Sequence, residues 1–106
     1  MNDDNGSDRD PVSASADAEV RTLEICNKKG LHARASAKFC QIVERFDADV
    51  RVTRGNETVG GTSIMGLMML GAGIGSKIRI EASGNEAAAV ADALEKLVTS
   101  GFGEED

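Results

Sequence analysis

Hydrophobic and polar residues alternate in several short segments, which is the spacing of a β-strand with one buried face. In the first of these segments, Leu23 and Ile25 alternate with polar or small side chains. Gly55 and Asn56 separate two such segments, so they predict the turn of a β-hairpin. The predicted strands cover residues 20–26, 49–54, 57–59 and 77–82.

Three other segments have apolar residues at helical spacing, with charged side chains off the apolar stripe. Serine, threonine and asparagine are favoured N-cap residues, because their side chains accept hydrogen bonds from the unpaired first amides of a helix. The first predicted helix extends from residue 33 to about 46. The second begins after a cap at Thr62 or Ser63 and ends at about 70, and the third begins after a cap at Asn85 and ends at about 100.

The order of these elements, β-α-β-β-α-β-α, predicts an α+β fold. The simplest packing is an open-faced sandwich, in which a four-stranded, mostly antiparallel sheet carries three helices on one face. The 106 residues suffice for one domain that folds without disulfides or metal. Residues 1–18 are acidic and nearly free of large apolar side chains, so they predict a disordered tail before a domain at 19–104.

The net charge of −6 is concentrated in the chain ends. Residues 1–19 hold six acids against Arg9, and residues 104–106 add three more, so residues 20–103 carry a net charge of +2. With no dense basic stripe and no Trp or Tyr, the sequence does not favour nucleic-acid binding. Because it shows neither a signal peptide nor an apolar segment of membrane-spanning length, we expect a cytoplasmic protein without membrane insertion.

The two cysteines are isolated in sequence and form no CxxC pattern. We therefore expect Cys26 and Cys40 to be buried, reduced thiols rather than a disulfide or a metal pair. Met65, Met68 and Met69 resemble a copper-binding cluster only weakly, because no His or Cys lies nearby in the sequence to complete it. No metal and no organic cofactor is expected.

The single histidine, His32, falls at the predicted start of the first helix. The free N–H groups and positive dipole end of a helix favour an anion there, and a phosphoryl group suits such a site. Arg34 could contact phosphate oxygens, and Lys28 and Lys29 add attraction. An imidazole can both accept and donate a phosphoryl group, so the pattern indicates a carrier rather than a hydrolase. The alternative is that His32 is only a polar turn residue.

Residues 63–71 are too apolar for an ordinary loop. Exposed on a short helix, such side chains would form a docking surface, and methionine adapts to several partners. We place Ile64, Met65, Leu67 and Met68 in this surface. Apolar residues at helical spacing are equally typical of a core. Some of these side chains could therefore belong to the docking surface and others to the core.

Two motifs then carry a family resemblance. Gly30-Leu31-His32-Ala33-Arg34, followed by Ser63-Ile64-Met65-Gly66-Leu67-Met68, resembles the HPr family of phosphocarriers of the bacterial phosphoenolpyruvate-dependent phosphotransferase system. The resemblance covers about residues 19–104, including the ending Phe102-Gly103-Glu104. It implies a monomeric carrier that is not itself an enzyme.

By this resemblance, Nδ1 of His32 would take a phosphoryl group from the phosphohistidine of enzyme I and pass it to an enzyme IIA protein or domain. Arg34 would steady the phosphate. The branch is left open, since the same transfer serves sugar uptake or, in a nitrogen-linked branch, regulation alone. A further alternative is a docking-only regulatory protein with Ser63 as its switch.

The resemblance also makes Ser63 a regulatory serine, which in some bacteria is phosphorylated by an ATP-dependent HPr kinase/phosphorylase. A function as N-cap explains the same serine without any kinase. Two departures from the family bear on these expectations. Ala35 stands where many members have proline, which leaves the helix start usable. Gly60 and Gly61 replace bulkier residues, and we expect them to loosen the approach to Ser63.

Overall fold

The computed structural model of the chain describes residues 18–104. The acidic tail predicted for residues 1–18 lies outside the described residues except for Ala18, so its disorder stays a prediction.

Four strands form a single antiparallel sheet, with strand order β1-β4-β2-β3. Leu23 lies opposite Ile78 and Val52 opposite Ile80, so the apolar positions of neighbouring strands share one face. All four predicted strands are confirmed: one has its predicted bounds, and the ends of the other three shift by at most two residues. The strands are β1 (Glu19–Glu24), β2 (Asp49–Arg54), β3 (Glu57–Gly60) and β4 (Lys77–Ser83).

Three helices cover the apolar face of the sheet, as the open-faced sandwich predicts. Buried side chains of the helices, among them Phe39, Leu67 and Leu94, join those of the strands in one core. The first helix begins at its predicted residue and ends two residues before Phe46. The helices are α1 (Ala33–Glu44), α2 (Ile64–Met69) and α3 (Ala87–Thr99), and a single 3-10 turn, Gly101–Gly103, follows.

The predicted cap of α3 is wrong. Glu86, not Asn85, is the N-cap residue, and its side chain makes no capping bond. Asn85 Nδ2 instead donates to Asp47 Oδ2 at 2.8 Å, and Glu86 Oε1 accepts from the Asp47 N–H at 2.6 Å. The side chains that could cap the helix therefore bind the loop before β2. These bonds attach the beginning of α3 to that loop.

The two cysteines differ in exposure. Cys40 is buried, as predicted, and burial raises the pKa of its thiol. Cys26 is exposed, which corrects the prediction that both are buried, and its Sγ donates to the Val98 carbonyl at 3.4 Å. Both thiols are free.

Across residues 18–104, no helix is long and apolar enough to cross a membrane. The same residues contain no group of three or more His, Cys, Asp or Glu side chains arranged to hold a metal ion.

Candidate functional site

His32 is the N-cap residue of α1, as the sequence predicts. Its backbone is extended, and its carbonyl accepts the Ser36 N–H at 2.8 Å. Its ring atom Nδ1 accepts the Arg34 N–H at 3.3 Å, so the imidazole binds one of the free amides at the helix start. The side chain remains 27% exposed, so a partner can reach it.

The turn before His32 requires a glycine. Gly30 has φ +64°, and a Cβ atom there would lie 2.3 Å from the Ala72 carbonyl oxygen. The close approach lets the Leu31 N–H donate to the same Ala72 oxygen at 3.0 Å. Gly30 thus holds the histidine loop against the segment between α2 and β4.

A carboxylate from the far end of the chain contacts the histidine. Glu104 Oε2 lies 2.5 Å from His32 Nε2, and Glu104 Oε1 accepts from Asn27 Nδ2 at 3.1 Å. The hydrogen bond from His32, followed by that from Asn27, holds the pKa of Glu104 below its ordinary value. The sequence interpretation treated Glu104 as part of an acidic chain end and missed this contact.

A left-handed turn brings Glu104 to the histidine. Gly101, Phe102 and Gly103 all have positive φ, of 67°, 58° and 70°. This conformation is unfavourable for an aromatic residue, but the Phe102 side chain is fully buried in the core. Lys38 Nζ donates to the Phe102 carbonyl at 2.7 Å, so α1 also fastens the turn.

The two contacts of the imidazole define its tautomer. Because a carboxylate can only accept, Nε2 carries the proton and donates to Glu104. Nδ1 then keeps its lone pair, since it accepts a backbone N–H. Nδ1 is therefore the ring nitrogen that has a lone pair to offer an electrophile.

An open cavity of about 610 Å³ adjoins the ring. Its cations outnumber its one carboxylate, so the cavity suits an anion. Arg34 and Lys29 both belong to it, as the sequence predicts, whereas Lys28 does not, and Lys38 was not anticipated. The lining residues are Lys29, His32, Ala33, Arg34, Lys38, Gly103 and Glu104.

Ser63 and α2 lie outside this cavity. Ser63 is the N-cap of α2, and its Oγ accepts the Gly66 N–H at 3.0 Å. The two glycines expected to loosen this segment are both held by the sheet: Gly61 is buried against Val50 and donates to the Val50 carbonyl at 2.7 Å, and Gly60 pairs with Arg51. The turn that presents Ser63 is therefore firmly attached to the sheet.

The apolar residues of α2 divide between surface and core. Met65 and Met69 are the most exposed, at 69% and 74%, and Ile64 and Met68 are about two-fifths exposed. Leu67 is fully buried and packs in the core, which corrects its assignment to the docking surface. We define the α2 patch as the exposed side chains Ile64, Met65, Met68 and Met69.

Replacing Ser63 tests its capping function. Ser63→Ala removes the acceptor for the Gly66 N–H, so we expect the free energy of unfolding to fall by about 1 kcal/mol. Urea denaturation measures the change. Thr62→Ala, at the exposed neighbour that does not cap α2, is the matched control. Equal losses in the two variants would contradict the capping interpretation.

The lowered pKa of Glu104 predicts a pH dependence of stability. A carboxyl group whose pKa is depressed by folding stabilises the folded state at pH values above its ordinary pKa, which is near 4.5. That contribution is lost as the pH falls through the lowered value. We therefore expect Glu104→Gln to be less stable than the parent at about pH 6, with the gap narrowing as the pH falls below 4.5.

Denaturation of both proteins across this pH range measures the gap. Glu57→Gln, on the exposed start of the edge strand β3, is the control, because Glu104 and not Glu57 supplies the carboxylate on His32. A gap for Glu104→Gln that stays constant with pH would show that the carboxylate does not stabilise the fold through its charge.

Several known proteins are similar to this chain. Residues 20–100 match the family model described as the PTS HPr component phosphorylation site. The chain is 48% identical to the phosphocarrier protein HPr of Neisseria meningitidis over 84 residues, which are 79% of this chain and 94% of that protein. It is 39% identical to the phosphocarrier protein NPr of Shewanella violacea, over 79% of this chain and 92% of that protein.

A solved structure of similar fold is HPr-C-His from Thermoanaerobacter tengcongensis. It superposes with a TM-score of 0.79 at 40% sequence identity. The match covers 83% of this chain and 99% of that one, so it includes the sheet and helices described above.

Proposed function

Because the chain belongs to the HPr family of phosphocarriers of the phosphotransferase system, we propose that His32 carries its phosphoryl group. The donor would be the phosphohistidine of enzyme I, charged by phosphoenolpyruvate, and the acceptor an enzyme IIA protein or domain. The single observation that carries the proposal is the unprotonated Nδ1 of His32 beside a cationic cavity.

The proposed transfer is an in-line displacement at phosphorus. The Nδ1 lone pair gives up its hydrogen bond from the Arg34 N–H and forms the new N–P bond. As it does so, the N–P bond to the donor imidazole breaks and its electron pair returns to the donor nitrogen. Arg34, with Lys29, would bind the equatorial phosphoryl oxygens through charge-assisted hydrogen bonds. The second transfer reverses these events, with the His32 imidazole as leaving group.

Glu104 would contribute to both half-reactions without contacting phosphorus. Its carboxylate accepts a hydrogen bond from the Nε2–H group, which leaves Nδ1 as the nucleophile before transfer. After transfer, the phosphorylated ring carries positive charge, and the same carboxylate would stabilise it. The carrier needs no other residue to move a proton, because Nε2 keeps its hydrogen throughout.

The test is intact-protein mass spectrometry of the full chain after incubation with phosphoenolpyruvate and an enzyme I. One added phosphate that acid removes is the expected result, since phosphoramidates are acid-labile and phosphoserine is not. Phosphorus NMR then distinguishes an Nδ1 from an Nε2 phosphohistidine. The absence of any acid-labile phosphate with several active enzyme I proteins would refute the proposal.

The branch of the system is a separate question. The similarity to a protein named NPr supports a nitrogen-linked regulatory carrier as the second candidate, beside carriage for sugar uptake. Transfer rates from a sugar-type and a nitrogen-type enzyme I, measured side by side, decide between them. A clear preference for the nitrogen-type donor would select the regulatory branch.

Ser63 is proposed as a second, regulatory phosphorylation site. It is exposed and adjoins the α2 patch, so a phosphate there would place about two negative charges beside an apolar surface. Partners that bury this surface would then bind less well. An HPr kinase/phosphorylase with ATP is the reagent that tests it, and an acid-stable phosphate absent from Ser63→Ala is the expected product.

The α2 patch is proposed as the surface that docks the partners. Met65 is the most exposed apolar side chain in the first turn of α2. Met65→Glu places a charge there, so we expect transfer from phosphorylated enzyme I to slow by about tenfold. The free energy of unfolding should change little, because Met65 is not part of the core. Rapid-quench kinetics measures the rate.

Ala88→Glu, on the exposed side of α3, is the matched control and should transfer at the parental rate. If the two glutamate variants slow transfer equally, the effect comes from net charge and the α2 patch is not the docking surface.

A further inference from the structure

We infer that Asn27 is a positioning residue for phosphoryl transfer, because its side-chain amide holds the Glu104 carboxylate on Nε2 of His32. The inference rests on the proposed function of His32. It adds a residue that belongs to neither sequence motif and does not line the cavity.

Both donors of the Asn27 amide are used. Nδ2 donates to the Gly30 carbonyl at 2.9 Å and to Glu104 Oε1 at 3.1 Å. The first bond fixes the amide to the histidine loop, and the second fixes the chain end to the amide. Glu104 therefore presents one oxygen to Asn27 and the other to His32, so its carboxylate cannot rotate without losing a bond.

The amide is retained at a cost to folding. Asn27 is only 2% exposed, and its Oδ1 is buried without a hydrogen-bond partner among the described residues. Rotating the amide by 180° would not help, because Oδ1 would then face two acceptors, the Gly30 and Glu104 oxygens. The bond to the Gly30 carbonyl accounts for one donor of this buried amide, and the orientation of Glu104 accounts for the other.

An unrestrained Glu104 would also compete with the phosphate. Lys29, Arg34 and Lys38 line the same cavity as the carboxylate. Released from Asn27, the carboxylate can turn towards these cations and occupy the place of the phosphoryl oxygens. Asn27 thus favours transfer in two ways, since it keeps the proton on Nε2 and keeps the carboxylate out of the anion site.

Asn27→Ala tests the inference with two measurements on the full chain. Nitrogen-15 NMR of the imidazole at alkaline pH reports the tautomer directly, without any phosphoryl transfer. We expect a mixture of tautomers in the variant and a proton held on Nε2 in the parent. Transfer from phosphorylated enzyme I should slow by about tenfold, as expected when a supporting hydrogen bond to a reactive histidine is lost.

Two further variants separate positioning from folding. Asn27→Asp keeps the shape of the side chain but cannot donate to Glu104 and repels it. The His32 tautomer and the transfer rate should therefore change at least as much as in Asn27→Ala. Ser36→Ala removes another buried hydrogen bond to the same loop, from Ser36 Oγ to the Leu31 carbonyl, without touching Glu104. It should lower stability while tautomer and rate stay parental. If Asn27→Ala does not fold, Asn27→Asp carries the comparison.

A double-mutant cycle with Glu104→Gln completes the test. If Asn27 acts through Glu104, adding Asn27→Ala to Glu104→Gln should slow transfer by less than about twofold. A full additional tenfold loss, or a parental tautomer in Asn27→Ala, would overturn the inference. Should the parent protein accept no phosphate at all, the proposed function fails, while the tautomer measurement still decides whether Asn27 positions Glu104.

Discussion

His32→Asn is expected to lose phosphoryl transfer by at least about 10³-fold, to the limit of detection. The loss follows from chemistry, because the substitution removes the only imidazole of the chain and amides are not nucleophiles at neutral pH. Asparagine is the informative replacement, since it is also a favoured N-cap residue. It can accept the Arg34 N–H that Nδ1 accepts in the parent.

His32→Ala is the companion variant and separates the two functions of the side chain. It should lose transfer as completely as His32→Asn, and should also lose about 1 kcal/mol of unfolding free energy with the cap. Mass spectrometry after incubation with phosphoenolpyruvate and enzyme I, together with urea denaturation, measures both effects. Acid-labile phosphate on His32→Asn would contradict the carrier proposal.

The same pair of variants addresses the docking-only alternative. If the protein works only by binding partners through the α2 patch, neither variant should alter its effect on a partner protein. Under the carrier proposal, both should abolish any response that depends on phosphoenolpyruvate. Binding to enzyme I, measured by calorimetry, should persist in His32→Asn, because the α2 patch is unchanged.

The sequence predicted those parts of the site that depend on local spacing. His32 at the helix start follows from a turn glycine and the apolar period of α1, both within a few residues of it. Ser63 as a cap follows in the same way. The antiparallel sheet and its three covering helices follow from alternation and helical spacing along the chain.

Contacts between distant residues could not be predicted in this way. Glu104 lies 72 residues after His32, and no periodicity relates an end residue to a loop near the beginning. The only sequence signal was the ending Phe102-Gly103-Glu104 of the resemblance, which carried no assigned contact. Asn27 reads as an ordinary turn residue for the same reason.

Two of the corrected predictions, those for Asn85 and Leu67, fail because other contacts compete for the side chain. Asn85 is a good N-cap by type, but Asp47 offers its amide a carboxylate instead of a free helix end. Leu67 has the spacing of its exposed neighbours on α2, but the packing of α2 on the sheet and α1 turns it into the core. In both cases residues distant in sequence determine where the side chain lies, and the local sequence pattern carries no information about them.

Gly30→Ala is expected to lower both the free energy of unfolding and the rate of phosphoryl transfer, because the added Cβ atom has no room. The added Cβ would lie 2.3 Å from the Ala72 oxygen and 2.8 Å from the Gly73 Cα, and both are backbone atoms that cannot rotate away. The alanine would also have to adopt a positive φ. We expect the free energy of unfolding to fall by about 3 kcal/mol or more, at the upper end of single substitutions.

The chain offers a matched control in Gly55, whose φ of +61° is nearly that of Gly30 and which has no atom within 4 Å of an added Cβ. Gly55→Ala should therefore cost only the left-handed conformation, about 1 kcal/mol, and should transfer phosphate at the parental rate. The difference between the two variants isolates the clash with Ala72.

That clash should reach the histidine through the backbone. To relieve it, the loop must move away from Ala72, which breaks the bond from the Leu31 N–H and displaces the Gly30 carbonyl from Asn27. His32 follows Leu31 directly, so we expect slower phosphoryl transfer even in folded Gly30→Ala. Equal unfolding free energies for Gly30→Ala and Gly55→Ala, with parental transfer in both, would show that the loop relaxes without moving the imidazole.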